Sequence, residues 1–185
     1  MSGPEIILGR KSGAAALDAR LKTLSKLVAY VGVPASSSRS RKTQLLSMAT
    51  AAKGTKKRKR LEKAAESDLN NAETLFLLSK GSPLRNQPPR PVLEPAIQAE
   101  GNRQGIAAEL AQSVKANLAG DKAASMKSMQ RAALAGQNAA RKWFTDPRNN
   151  WAPNAPSTIA RKGSDRPGID TGATRAAIVG IVGEE

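Results

Sequence analysis

The 185-residue sequence contains no cysteine and no histidine. That removes disulfides, thiolate nucleophiles, imidazole bases and the usual zinc ligand sets together. Aromatic residues make up only 3% of the chain, so burial falls to Ala, Leu, Ile and Val, and the core they build is thin. No apolar run approaches the roughly 20 residues that span a bilayer. The opening Met1-Ser-Gly-Pro-Glu5 lacks a signal peptide's basic start and apolar centre. The expectation is a protein made and kept in a cytoplasm, with no membrane, no cofactor, no metal and no catalytic residue. Acidic residues are also scarce: 15 Asp and Glu against 30 Lys and Arg leave a charge of +15 and a pI near 10.7. Such a balance implies an anionic partner, nucleic acid first. The length fits one domain.

The short apolar run Ile6-Ile7-Leu8, closed by Gly9, reads as a strand or as an arm docking on a neighbour, so residues 1–13 form an N-terminal arm. From Ala14, Leu17, Leu21, Leu24 and Val28 recur at helical spacing, and residues 27–33 are β-prone and stopped by Pro34. Residues 36–60 are rich in Ser, Arg and Lys, and like charges at that density repel one another. The stretch reads either as a solvated flexible loop or as an arm contacting phosphates, and its composition is also that of a nuclear localisation signal. In the functional reading Lys53, Lys56, Lys57, Arg58, Lys59 and Arg60 contact DNA or a partner protein. With no aromatics among them, any nucleic-acid contact is to backbone rather than bases.

Helical spacing resumes at Leu61, Ala65, Leu69, Ala72 and Phe76 and stops at Gly81. Prolines on both sides of Arg90 hold the chain extended. Residues 95–119 and 121–144 read as two Ala-rich antiparallel helices broken at Ala119-Gly120. The first carries an apolar stripe of Ile106, Leu110, Val114 and Leu118. The second carries a weaker one of Met126, Met129, Ala133, Ala140 and Phe144, and Gly136 lowers its stability by roughly 1 kcal/mol. Trp143, Phe144 and Trp151 mark a local core, with a cation-to-ring contact from Arg141 or Arg148. Residues 151–175 hold too many turn formers for a regular element and read as an ordered loop feeding a last strand at 176–182. The fold class is α+β: a small antiparallel sheet packed with several helices, plus a basic protruding loop or arm. One domain, residues 14–185, is interrupted by the basic insertion at 36–60.

Asp170-Thr171-Gly172 is the triplet of aspartic proteases. That chemistry needs two carboxylates sharing a proton and a fold that wraps a cleft, and only residues 173–185 follow the triplet. The structural reading is stronger: Asp170 accepts backbone N–H groups in an Asx-type turn and Gly172 supplies a φ that other residues resist.

Three landmarks stand in order along the chain: Val31-Gly-Val-Pro34; then Asn70-Asn-Ala-Glu73, Gly81-Ser-Pro83 and Pro-Pro-Arg90-Pro91; then Trp151-Ala-Pro, Ser-Thr-Ile159, Arg-Lys-Gly163, Arg-Pro167 and Ile-Asp170-Thr171-Gly172 followed by Arg175. Together they resemble the signature of the tail-completion and neck proteins of tailed bacteriophages. Ser79 and Lys80, Val92 and Gly168 depart from that pattern, where the family usually has an acidic residue and an aromatic, an aromatic, and a leucine. The resemblance implies an α+β structural protein without catalytic activity, made in the host bacterial cytoplasm and built into the virion at the neck. It implies a homo-oligomeric ring around the DNA channel, of six copies as tail symmetry favours, with twelve as the alternative. Its neighbours would be a head-side connector or collar protein on one side and tail terminator, tube or sheath proteins on the other, with genomic DNA in the channel. The competing expectation is a free basic nucleic-acid-binding protein acting through residues 36–60.

Overall fold

The computed structural model describes residues 6–34, 40–67 and 69–184. Parts of the expected N-terminal arm (1–5) and of the basic insertion (36–39) lie outside the described residues. The architecture is α+β, mostly helical, with one two-stranded antiparallel sheet. Strand β1 (Leu27–Gly32) pairs with β2 (Val179–Glu184), from Leu27 opposite Glu184 to Gly32 opposite Val179. The sheet thus ties the beginning of the described chain to its end. One face lies directly on helix α7 (Lys122–Trp143): a Cβ on Gly180 would stand 2.0 Å from the Ala133 carbonyl oxygen, and one on Gly136 would stand 2.7 Å from Val31 Cγ2. The helical penalty at Gly136 is therefore the condition for close contact between helix and strand. The other face carries the cross-strand pair Tyr30 and Ile181, both substantially exposed.

Helix α1 (Ile6–Ser25) runs straight through the segment expected as a strand or arm. It lies along α6 (Glu100–Ala119), where the Arg20 guanidinium donates to the Leu118 carbonyl at 2.7 Å. Helices α6 and α7 form the expected antiparallel pair. Gly120 adopts the left-handed conformation that ends α6, and Asp121 caps α7 by accepting from the Ala124 N–H at 2.8 Å. The seam differs from the expected apolar stripe. Ser113 and Asn117 are the buried residues of α6, while Val114 and Leu118 are exposed. Ser113 donates to the Ser125 carbonyl at 2.9 Å, and the facing positions of α7 are small: Ser125, Ser128, Ala132 and Gly136. Small side chains let the two backbones approach closely, and the hydroxyls satisfy each other in the gap.

The basic insertion differs most from expectation. It holds helices α2 (Ser40–Thr50) and α3 (Thr55–Ala65), which pair through Leu45, Ala49, Leu61 and Ala65 into a small core closed by Ala173. A helix spreads consecutive charges around its circumference, and the two fully buried leucines hold the hairpin down. The single helix expected over 61–80 is two. A capping box, in which Asn70 accepts from the Glu73 N–H and the Glu73 carboxylate accepts from the Asn70 N–H, starts a new helix α4 (Asn71–Lys80). The break turns Phe76 outward and Leu75 and Leu78 inward.

The main core joins Leu75 and Leu78 to Val92 and Ala96, the latter on α5 (Leu93–Gln98), to Ala140, Trp143 and Phe144 of α7, and to Ile178. Val31, Val33 and Trp151 cover it. The stretch expected as loop contains two short helices, α8 (Pro156–Lys162) and α9 (Ala173–Ala177), before β2. Among the described residues no helix is long and apolar enough to cross a membrane.

Candidate functional site

The second and third landmarks interlock. Arg90, 6% exposed, donates from Nη2 to the Ala152 carbonyl at 2.9 Å and, more weakly, to that of Pro153 at 3.4 Å. In return the Trp151 indole N–H donates to the Pro91 carbonyl at 3.3 Å. Trp151 meets the Phe144 ring edge-on, centroids 5.6 Å apart. Gly168 adopts φ +71° directly beneath Trp151, where a Cβ would come within 2.7 Å of the ring. The departure at Gly168 thus has a local cause: the indole occupies the space a leucine would need. Pro167 borders the neighbouring hollow with Phe144 and Asp146. The Arg148 guanidinium lies 5.7 Å from the Trp143 ring centroid and grips Asp146 bidentately, and these bonds hold the Asp146 carboxyl down at about 2. Arg141 instead donates to the carbonyls of Ile178 and Ala176, tying α7 to the start of β2.

The Asx turn expected at Asp170 is not the one observed. The hydroxyl of Thr171 accepts the Ala173 N–H at 3.2 Å, and Gly172 supplies the expected positive φ, +84°. Asp170 turns its carboxylate to Arg60, with Nη2 3.6 Å from Oδ1. Arg60 also donates to the backbone carbonyls of Lys162 and Asp170, so it fastens α3 to the C-terminal loop. Arg175 lies half-buried on α9.

Helical geometry divides the basic run. Lys56, Lys57 and Arg60 line one open hollow of about 540 Å³ together with Arg161 and Lys162. Arg58 instead pairs with Glu62 at 2.8 Å, while Lys53 and Lys59 are exposed. Arg161 and Lys162 also line a second, larger hollow of about 710 Å³ that reaches Arg90 and Asp170. Burial pushes the Lys162 ammonium below the usual lysine range; Asp170 partly offsets this, and Arg90, Arg60 and Arg161 push it further down. Burial likewise lowers the Arg41 guanidinium, with Asp170 working against the shift. Three cations, Arg60, Arg41 and Lys162, therefore act on the Asp170 carboxylate, while Arg90 and Arg161 line the larger hollow beside it.

In the sequence Arg161-Lys162 and Asn71 stand out only as parts of the signature, and nothing singles out Arg41. Arg41 donates to the Leu69 carbonyl; Asn71, fully buried, donates to Gln44 and faces Thr174, linking α2, α4 and α9. Among the described residues no three acidic side chains gather as a metal ligand set. No protein-family model, curated protein or solved structure matches the chain.

Proposed function

We propose that the chain is a non-catalytic structural protein of a tailed-phage neck, located in the virion, that completes the tail and joins it to the head as a ring around the DNA passage. The observation that supports this reading is the interlock of Arg90-Pro91 with Trp151 and Gly168. Landmarks about 60 residues apart form one bonded unit, as expected if they are maintained together rather than by chance of composition. The exposed apolar side chains Leu17, Leu21, Leu134 and Ile181 offer surface for neighbouring copies and for head-side and tail-side partners. In this reading Asp170 is structural, since its carboxylate faces the Arg60 guanidinium and, among the described residues, no second carboxylate, which a protease would need, lines the hollows beside it.

The competing reading, a free basic nucleic-acid-binding protein, is favoured by the cation cluster around Asp170. It gives no reason for the bonding of Trp151 to Pro91 and its packing on Gly168, which adjoin the cluster. Loss of the chain from an infecting phage separates the two. The neck reading expects filled heads and finished tails to accumulate unjoined. Normal joining with altered nucleic-acid metabolism would favour the second.

A further inference from the structure

We propose that the larger hollow, together with the shallower one it joins at Arg161 and Lys162, is a binding cleft for the phosphate groups of a nucleic-acid backbone. Three observations carry this. First, Arg60, Arg90, Arg161 and Lys162 line the two hollows together with Lys56 and Lys57, and Asp170 is the one carboxylate among the described lining residues. Like charges held this close are costly unless an anion joins them. Second, Arg90 lines the hollow although it is more than nine-tenths buried, and its Nε has no hydrogen-bond partner among the described residues. Its Nη2 bonds go to the neutral carbonyls of Ala152 and Pro153 and no carboxylate pairs with it among the described residues, so its buried charge is uncompensated, and a phosphate in the hollow supplies the missing anion. Third, the two hollows meet and continue onto the exposed lysines of α3, Lys56 and Lys57, forming a track rather than a single socket.

The composition of the track selects the ligand. The shallow hollow is walled by lysine, arginine and glycine alone, and neither hollow has an aromatic ring. Protein partners are gripped mainly through apolar and aromatic anchors, whereas a phosphodiester backbone offers repeated charge and is held by guanidinium forks and ammonium groups. Without stacking rings, the cleft takes nucleic acid by its backbone regardless of sequence. The inference deepens the neck reading, on which its placement beside a DNA passage rests; the cleft itself rests only on geometry and charge.

The test measures binding of mixed-sequence DNA duplexes to the full-length free subunit by fluorescence anisotropy across a salt series. One variant, Lys56→Ser/Lys57→Ser/Arg161→Ser, changes exposed residues lining the cleft. A second, Lys115→Ser/Lys122→Ser/Lys127→Ser, removes the same charge from exposed positions of the α6–α7 hairpin. Thermal melting checks that both fold. The cleft variant should flatten the slope of log affinity against log salt by about 2 to 3 units, since each phosphate contact contributes about 0.9. The hairpin variant should flatten it by less than about one unit. Equal flattening by both would overturn the cleft in favour of diffuse attraction. Polyglutamate competing as well as DNA at equal charge concentration would overturn the phosphate assignment in favour of an acidic protein. Inorganic phosphate binding tightly, with duplex affinity indifferent to the cleft variant, would overturn the backbone source. Incorporation into particles is scored separately. A subunit that joins virions without holding DNA leaves the neck reading standing and removes the cleft, and the converse removes only the neck reading.

Discussion

Replacing Arg60 by Met keeps the aliphatic stem and removes the guanidinium that fastens the α2–α3 hairpin to the C-terminal loop. Two bonds to carbonyls are lost, to Lys162 and to Asp170, the latter 2.8 Å long. A hydrogen bond from a charged donor contributes about 1.5 to 3 kcal/mol. At a site one-third exposed the lower figure applies, giving about 3 kcal/mol for the two. The ion pair with Asp170 adds at most about 0.5 kcal/mol, because that carboxylate is more than half exposed. Against these losses, Nε is buried without a partner, and removing it returns about 1 kcal/mol. The net expectation is a loss of about 2 kcal/mol. Urea unfolding followed by tryptophan fluorescence, at about 0.1 M and about 1 M NaCl, measures it. Because bonds to carbonyls dominate, the loss should be nearly equal at both salt concentrations. A cost below about 0.5 kcal/mol, or one that disappears at high salt, would refute the docked hairpin and restore the free arm.

Asp146→Asn should remove stability in a pH-dependent way. The folded carboxyl titrates at about 2 against an ordinary 3.8, so its contribution, about 1 kcal/mol once screening around the half-exposed Arg148 is allowed for, is full above about pH 4 and is lost as pH falls towards 2. Parent and variant melting temperatures should therefore converge on acidification, and a constant gap would contradict the assignment. Gly180→Ala places a methyl 2.0 Å from the Ala133 carbonyl oxygen, so chemical denaturation should show a cost of at least about 1 to 3 kcal/mol; an unchanged midpoint would mean that the sheet does not lie on α7. Asp170→Asn should cost less than about 1 kcal/mol in urea unfolding and leave particle assembly largely intact. A folded variant that lost a measurable peptide-cleaving activity present in the parent would reinstate the protease.

The elements governed by local chemistry were legible in the sequence. The β-branched run stopped by Pro34 is β1, Gly120 divides the two long helices, and the three large aromatics share one core. What misled was periodicity where contact is made by small residues. The stripe from Ile106 to Leu118 had the right spacing and Ile106 does reach Gly136 of α7, yet the buried positions of α6 are Ser113 and Asn117, and Ser113 bonds Ser125 across a seam where small side chains let the backbones approach. The basic run was read by its charge alone. Charge density opposes burial but not helix formation, and Leu45 and Leu61 are enough to dock a helix whose other faces stay in water. The Asn70 capping box was quoted as a motif without its mechanical consequence, the restart of a helix. At the site, the landmarks were legible one by one. Their bonding was not, since the indole of Trp151 and the carbonyl of Pro91 are brought together by the fold and by nothing local.

The most direct test of the proposed neck assignment is a search for the chain in purified tailed-phage particles, followed by a symmetry-resolved electron-microscopy reconstruction of their head–tail joint. The account predicts a closed ring of the chain at that joint, six-fold as tail symmetry favours, with the α2–α3 hairpin and the Arg161-Lys162 cleft turned toward DNA. Twelve-fold closure would move the ring to the head side of the same joint. Absence of the chain from the particles, or its presence as a single asymmetric copy, would contradict the account.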